Sequence, residues 1–574
     1  MKKFYLIFNQ EVNKEDYITK VSNVVNNCLH RKMVMYVEAT TAQVKALKQD
    51  SNVLDMFPEE LAPVEQEQGV KNVDYKRTSF AQEKIDTHYG NWGLIRHSSL
   101  TDVGSSDNLT TETYNYNYDG SGVDIILNLA SVLDLNDPEF KTSGTSRINQ
   151  FQWKTLDGFS GLPTIDYNKT GVDDIDDHAE SVAYCAVSNT YGWATGADLY
   201  IWPRDQMDAG SAYIWNTGWD AMKKFHQSKG NDRPTLVIDS IGYGSYNFFG
   251  SYATKMLYRG EIYDTVAPAG GPDVKIKHCL QQSSGKNYGM PSRQRTSEGG
   301  TISITEGLAW TDKALLKTQI EDKTKNTVWR LYGEPIEEMV AAGVHHVSAA
   351  GNYSDSIHLK GHPDYANAYR WDYWYRSDEN DPWEWKEYTK LTGQANQILA
   401  GDTIAVAALG MESKSEGINN KEILAQFSTR GSRIDAVAAG ENIRLDLYTH
   451  GTYVANGTSF ASPNVGGMAA LVLGKYPTTT PKQLRRYFRE QAVGTDTVYD
   501  SNLGLADSSK YGDPAWYGQA GTFGYSNKIA YLDPSLSFNP TTLPDTSIED
   551  STVTTQDNTL DYTIDQINTK LGSI

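Results

Sequence analysis

Ser459 stands in the stretch NGTSFASPNVGGMAALVLGKYP, just ahead of an apolar segment in which Val465, Met468, Ala469 and Val472 share one helical face. A hydroxyl there lies at the positive end of a helix dipole, and glycine before it leaves the approach clear. Two roles suit such a serine: a helix cap, the commoner one, or a nucleophile. Pro463, a few residues in, fits both. His178, in DDHAESVAYCAVSN, opens another amphipathic helix, and Gly351-Asn352 closes the buried strand of VHHVSAAGNYS. Taken singly, a histidine at a helix start is more often structural and Ala-Gly-Asn a plain turn. Three such elements together are harder to set aside.

The elements that would position these groups are readable from periodicity. Between 117 and about 480, short apolar strands alternate with helical patterns, the signature of an α/β parallel sheet with helices on both faces. This main domain is expected over 117–532, with surface insertions at about 245–330 and 355–398 where Gly, Ser, Trp, Tyr and acids break the rhythm. Residues 1–65 form a pattern of their own: strand KFYLIF, then Ile18, Val21, Val24, Val25 and Cys28 at helical spacing, strand KMVMYVEAT, helix TAQVKALKQD and strand NVLDMF. That order predicts a small ferredoxin-like α+β unit. The polar stretch 66–116, including EQEQGVKNVDYKR, reads as an exposed linker leading into the main domain, and the Thr/Asp-rich 533–574 reads as a flexible tail.

Bulk composition narrows the function. Fifty-two Lys and Arg against 72 Asp and Glu leave a net charge of −20, a field that repels nucleic acid. No apolar run approaches the roughly 18 residues a membrane helix requires. Cys28, Cys185 and Cys279 lie far apart and fit no metal-ligand spacing, so they read as buried filler. MKKFYLIFNQEVNKED lacks a sustained apolar segment and a small-residue cleavage site, which leads us to expect synthesis inside the cell.

On these residues the chain resembles the subtilisin-like serine proteases, or subtilases. Their Gly-Thr-Ser-x-Ala-x-Pro block stands at Gly457–Pro463, and the ends of their His-Gly-Thr-His-Val-Ala block at His178 and Val182-Ala183. Their Ala-Gly-Asn stands at Ala350–Asn352, with supporting similarity in YGWATGADLYIWP, IAVAALG and FSTRGSRIDAVAAGENI. The resemblance implies Ser459 as nucleophile, His178 as general base and Asn352 as oxyanion donor. It implies a substrate strand lying between 208–213, which includes Gly210 and Ser211, and 239–244, with Ser240, Ile241 and Gly242 walling the primary specificity pocket. VEATTAQVKALKQDSNVLDMFPEE is similar to the inhibitory propeptides of the family, which makes residues 1–65 an expected intramolecular inhibitor. NWGLIRHSS, from Asn91, looks like the usual opening of the mature domain. The expected partners are peptide or protein substrates and this propeptide, with no nucleic acid and no membrane.

One part of the family pattern is missing. Subtilases carry their triad aspartate at the end of the first core strand, shortly before a Pro-Glu/Asp-Phe/Leu. Counting back from Pro138 in GSGVDIILNLASVLDLNDPEF lands on Ala130, and counting forward from Gly120 lands on Leu129. Asn128, Asp134 and Asp124 are nearby but poorly placed substitutes, since an orienting partner must meet the far imidazole nitrogen in a fixed geometry. Three explanations compete: a substitution that traps the uncleaved precursor, a natural pseudoprotease, or an atypical triad. The functional expectation is accordingly a self-inhibited serine endopeptidase in an inactive or very slow form; the alternative is a catalytically silent structural or binding protein. No cofactor is required. The family often carries structural calcium, for which DDIDD (173–177) or DENDPWE (378–384) would offer oxygen ligands against a bland reading as solvated acidic loops. The tyrosine- and asparagine-rich texture is similar to that of proteases of large bacteriophages, which would place the protein in the host cytoplasm or virion.

Overall fold

The structure, a computed structural model, describes residues 2–10, 12–26, 34–58, 66–67, 91–102, 116–207, 212–242, 255–258, 261–264, 303–304, 327–352, 357, 359, 368–375, 384–391, 401–411, 422–425, 427–431, 433–497 and 528–548. The first unit comprises β1 (Lys2–Phe8), α1 (Glu15–Ile18), β2 (Asn23–Asn26), β3 (Val34–Ala39), α2 (Thr41–Leu47) and β4 (Val53–Pro58). Its strands form an antiparallel sheet in the order β2-β3-β1-β4. Side chains alternate across a strand, so Phe4, Leu6 and Phe8 share one face with Met35 and Val37. That face buries Tyr17, Val21, Val44 and Leu47. The intervening Tyr5, Ile7, Val34 and Tyr36 belong instead to the main core, with the rings of Tyr5 and Tyr36 stacked 4.9 Å apart. One face of the sheet is therefore covered by its own helices and the other by the body of the protein. Helical spacing over 18–28 proves misleading: α1 stops at Ile18, and Val24 lies in β2 opposite Val37. The β-branched pair Val24-Val25 suits a pleated strand better than a helix.

The main domain follows β5 (Gln66–Glu67) and α3 (Gly93–Arg96), whose residues are all buried. Arg96 donates from Nε and Nη2 to Glu422 at 2.7 and 2.6 Å, and both side chains are buried. Next along the chain come β6 (Asp124–Leu129), a short hairpin of β7 (Lys141–Thr142) and β8 (Thr145–Ser146), α4 (Asp177–Val187), β9 (Asp198–Pro203), α5 (Ala212–Ser228), β10 (Thr235–Asp239) and β11 (Ile241–Gly242). The insertions supply β12 (Lys255–Tyr258), β13 (Glu261–Asp264) and β14 (Ser303–Ile304), and, after α6 (Thr327–Ala341) and β15 (His345–Ala349), also β16 (Ala368–Tyr375) and β17 (Glu384–Leu391). The two insertions join in one antiparallel sheet, β14-β13-β12-β16-β17. The chain continues through β18 (Ile404–Leu409), β19 (Ala436–Ala439), the hairpin β20 (Ile443–Leu447) and β21 (Gly451–Ala455), α7 (Thr458–Lys475), α8 (Pro481–Glu490), β22 (Val493–Thr497) and β23 (Lys528–Ala530).

Eight strands form the central sheet in the order β22-β23-β19-β18-β15-β10-β6-β9, parallel except for β22 at its edge. Helices cover both faces, the arrangement the alternating pattern predicts. The strands β6, β10 and β15 are continuous buried runs, as a sheet covered on both sides demands. α7 lies against one face, where a Cβ on Gly466 would fall 2.6 Å from Ile238 Cδ1 and a Cβ on Gly467 2.7 Å from the Ala186 carbonyl of α4. Glycine at these positions lets α7 sit against both sheet and α4. On the other face, Trp219 of α5 meets His346 edge-on with centroids 5.4 Å apart.

After β6 the chain passes to β9 on one side and then to β10 on the other, so the strand order reverses at β6. A crevice at the carboxyl ends of such strands is where open α/β sheets bind ligands. At the carboxyl end of the described residues, 533–548, expected from sequence to belong to a tail, are packed against the domain. Gln483 donates to the carbonyls of Thr541 and Leu543, Thr480 to Asp545, and Ile548 is buried. Among the described residues no helix is long and apolar enough to cross a membrane.

Candidate active site

Ser459 is the second residue of α7. Gly457, just before the helix, holds φ at +156°, a conformation glycine adopts readily, and donates its N–H to the Gly440 carbonyl. Ser459 Oγ donates to the Ser240 carbonyl at 2.9 Å, and Ser240 Oγ returns a bond to the Ser459 carbonyl at 2.9 Å. Ser462, one helical turn on, lies 3.0 Å from Ser240 Oγ and braces it. Ser240 directly follows β10, so this exchange fixes the serine helix to the end of the sheet.

His178 sits in the first turn of α4, whose start is set by Asp176 accepting the Ala179 N–H at 2.8 Å. The Asp176 N–H in turn donates to Ser131 Oγ at 2.9 Å, tying the histidine helix to the residue after Ala130. The imidazole meets Phe460 edge-on, centroids 5.7 Å apart, and Phe460 is the neighbour of Ser459. Asn352 Oδ1 accepts from Thr458 N at 2.8 Å and from Thr458 Oγ1 at 2.9 Å, while Thr458 Oγ1 accepts the Gly351 N–H. With its oxygen held by Thr458, the amide can turn only its Nδ2 end away from the helix. Hydroxyl, imidazole and amide thus gather at the first turn of α7.

Ala130 follows β6 directly, half-buried, and its carbonyl accepts the Asp205 N–H at 2.9 Å. The three substitutes weighed from sequence are engaged elsewhere. Asn128 Nδ2 donates to Asp239 at 3.2 Å, on the sheet face opposite α7. Asp134 Oδ1 accepts the Asn136 N–H, and Asp124, at the other end of the strand, pairs with Lys229 and Arg233 at 2.6 and 2.9 Å. Of the residues expected to line the substrate strand, Ser240 bonds Ser459 and is followed by Ile241 and Gly242 in β11; Gly210 and Ser211 fall outside the described residues. β11 is already paired: Ile241 stands opposite Glu67 and Gly242 opposite Gln66, antiparallel. Within the linker expected from sequence, Gln66–Glu67 form this short strand.

Several supporting groups escape a reading from sequence. Buried Glu180 accepts the Thr449 N–H at 2.8 Å and lies 2.7 Å from His450 Nδ1, and Tyr184 donates to Asp137 while accepting the Tyr448 N–H, so two turns of α4 are pinned to the turn after β20. Burial, reinforced by the charges of Glu180 and Glu139, raises the Asp137 carboxyl to about 6. Of the acids of 173–177, Asp174 pairs with Lys169 at 2.8 Å and Asp176 caps α4, and no group of three or more His, Cys, Asp or Glu placed to hold a metal occurs among the described residues. Residues 378–383 lie outside them. Cys185 is buried, its thiol pushed well above its usual range by desolvation, while Cys28 and Cys279 are not among the described residues.

The sequence pattern of the subtilase family matches residues 163–521, more than half the chain, including Ser459, His178 and Asn352 but beginning after Ala130. Subtilisin E of Bacillus subtilis (strain 168) is 45% identical over 104 residues, 18% of this chain and 25% of the relative. Subtilisin of Bacillus pumilus is 40% identical over 104 residues, 18% of this chain and 34% of its own. The match thus spans about a quarter to a third of these relatives' length. Among solved structures, fervidolysin from Fervidobacterium pennivorans, a keratinolytic enzyme related to subtilisin, aligns over 87% of this chain and 59% of its own at 15% identity and a TM-score of 0.41. This chain belongs to the subtilase family.

Proposed function

We propose that the protein is a serine endopeptidase of the subtilisin type, made as a self-inhibited precursor, and that alanine at 130 leaves this form inactive or very slow. The observation that carries the reading is the gathering of Ser459, His178 and Asn352 at the start of α7. In the proposed reaction Ser459 Oγ attacks a peptide carbonyl as His178 takes its proton; the C–N bond then breaks and the proton passes to the departing amine. Water, activated by the same imidazole, releases the acyl group. The Asn352 amide and the Ser459 backbone N–H would stabilise the oxyanion, a contribution for which removing one donor costs about 10²–10³ in rate, a figure measured in subtilisin itself. The chemistry uses no organic cofactor, and its substrates are peptides or proteins.

The self-inhibition half of the proposal is supported by the first unit burying Tyr5, Ile7, Val34 and Tyr36 in the main core and by β5 lying along β11. Alanine at 130 favours a second reading, a silent binding protein on the same scaffold. One experiment separates the two. The Ala130→Asp variant is expected to label with a fluorophosphonate and to cleave a casein substrate, and Ser459→Ala on that background should abolish both. Failure of Ala130→Asp to label would leave the silent scaffold standing.

A further inference from the structure

Glu180 follows His178 by two positions, about 200° round α4, so it leaves the helix on the face away from the imidazole. The side chain is buried, and both carboxylate oxygens engage one short stretch of chain. Oε1 accepts the Thr449 N–H at 2.8 Å, and Oε2 lies 2.7 Å from His450 Nδ1. An ionised carboxylate only accepts, so the ring donates from Nδ1. Tyr184, one turn further along the same face, accepts the Tyr448 N–H at 2.9 Å and donates to Asp137 Oδ2 at 3.0 Å. Tyr448, Thr449 and His450 are the turn between β20 and β21. This turn ends a continuous antiparallel ladder that runs from Leu447 opposite Gly451 to Ile443 opposite Ala455. At the other end Asn456 Oδ1 accepts the Asn442 N–H at 2.7 Å, the Gly457 N–H donates to the Gly440 carbonyl at 2.7 Å, and the chain passes directly into Ser459. Ile443, Leu445 and Leu447 are buried, so the hairpin is seated along its length. It is an arm with the histidine helix at its tip and the serine at its base.

We infer that Glu180 is a positioning residue for the peptidase reaction: with His450 and Tyr184 it clasps the histidine helix to the hairpin that leads into Ser459, and so sets where the His178 ring stands relative to the serine hydroxyl. This rests on the peptidase reading. α4 has one other close fix to the serine helix, at the Ala186 carbonyl, which a Cβ on Gly467 of α7 would meet at 2.7 Å. Ala186 and Glu180 are about 9 Å apart along the helix axis. A single fix near the far end leaves the tilt of α4 open; the clasp, beside the first turn, closes it. His178 lies in that first turn, so a change of tilt moves the ring more than it moves Ala186. A misplacement of about 1 Å between reacting groups costs about 10² in rate. The loss falls on proton transfer from Ser459. The edge Ser240–Gly242 belongs to other elements, so the hold on substrate is left as it is.

The test uses full-length Ala130→Asp, with active sites counted by exhaustive fluorophosphonate labelling so that only folded, competent molecules enter the rate, and steady-state cleavage of fluorogenic casein. Adding Glu180→Ala should lower kcat per labelled serine about 10²-fold with KM within twofold. Adding Glu180→Gln instead should keep kcat within about fivefold of the Ala130→Asp parent, because the amide oxygen accepts the Thr449 N–H and the NH2 donates to the other ring tautomer. A Glu180→Ala deficit seen only in the number of labelled sites, or an equal loss in Glu180→Gln, would overturn the inference and leave the peptidase reading intact. If Ala130→Asp itself does not label, the peptidase reading fails and the catalytic consequence of the clasp fails with it. A second measurement needs no activity. In the Ala130 chain, His450→Ala, at a partly exposed ring, should speed hydrogen exchange at least tenfold at the Thr449 amide and also at the Gly457 amide. Faster exchange at the turn with no change at Gly457 would show that the hairpin does not carry the constraint to the serine, and would overturn the inference.

Discussion

His97 offers a sharp test of how the start of the main domain is held. Its ring is wholly buried after α3, with Nδ1 2.7 Å from the Ala530 carbonyl and Nε2 2.9 Å from the Ala439 N–H. Since the carbonyl can only accept and the N–H can only donate, the ring is neutral with its proton on Nδ1. Burial, and then the neighbouring Arg96 charge, lower its pKa from 6.5 to about 3. His345, buried in β15, is lowered to about 3 mainly by desolvation. A histidine depressed in this way binds fewer protons folded than unfolded. Its stabilisation is present above pH 6.5 and is lost as pH falls towards 3. Linkage makes the loss about 2 kcal/mol per histidine between pH 7.5 and 5. Asp137 acts in the opposite sense: raised to about 6, it favours the folded state more as pH falls, returning about 1 kcal/mol over the same interval after allowance for solvent screening. The net expectation is a loss of about 3 kcal/mol on going from pH 7.5 to 5. Urea denaturation of the Ala130 chain, followed by circular dichroism at pH 7.5, 6 and 5, measures it. The His97→Gln variant, less stable at pH 7.5, should lose about 2 kcal/mol less over that range than the parent. A parent stability that is flat or rises towards pH 5, or a variant with the full parental slope, would refute the assignment of a neutral buried ring.

Other expectations follow from the same geometry. Placing aspartate at 130 should raise turnover on an unstructured substrate by about 10⁴-fold over the Ala130 chain, the order of the triad aspartate's contribution in subtilisin itself; a change below tenfold would mean that position 130 does not face the imidazole. Arg96→Leu leaves the buried Glu422 carboxylate without its bidentate partner and should cost about 3–5 kcal/mol in denaturation, whereas an exposed ion pair such as Lys20–Asp50 should cost under about 1 kcal/mol when broken. Tyr36→Glu places a charge on the buried face of the first unit. In the Ala130→Asp enzyme it should weaken the hold of the first unit on the main domain and shorten the lag before activity on added substrate, as read by continuous peptide cleavage.

Much of this protein is legible in short stretches of its chain. The block Gly457–Pro463, the histidine at a helix start, the asparagine after a buried strand and the lack of a carboxylate at 130 are local patterns. Each states a residue type at a strand–helix junction, and such junctions follow from periodicity and turn chemistry within a few residues. The same local reasoning misplaced Val24 and Val25, because apolar residues three and four apart also occur where a brief helix hands over to a strand. Tertiary structure alone decided the exchange of hydrogen bonds between Ser240 and Ser459, the laying of Gln66–Glu67 along Ile241–Gly242, and the docking of residues 541–547 on α8. These partners are separated by tens to hundreds of residues. Their meeting depends on which strand ends the sheet order brings side by side, and a backbone ladder is indifferent to the side chains that local patterns record.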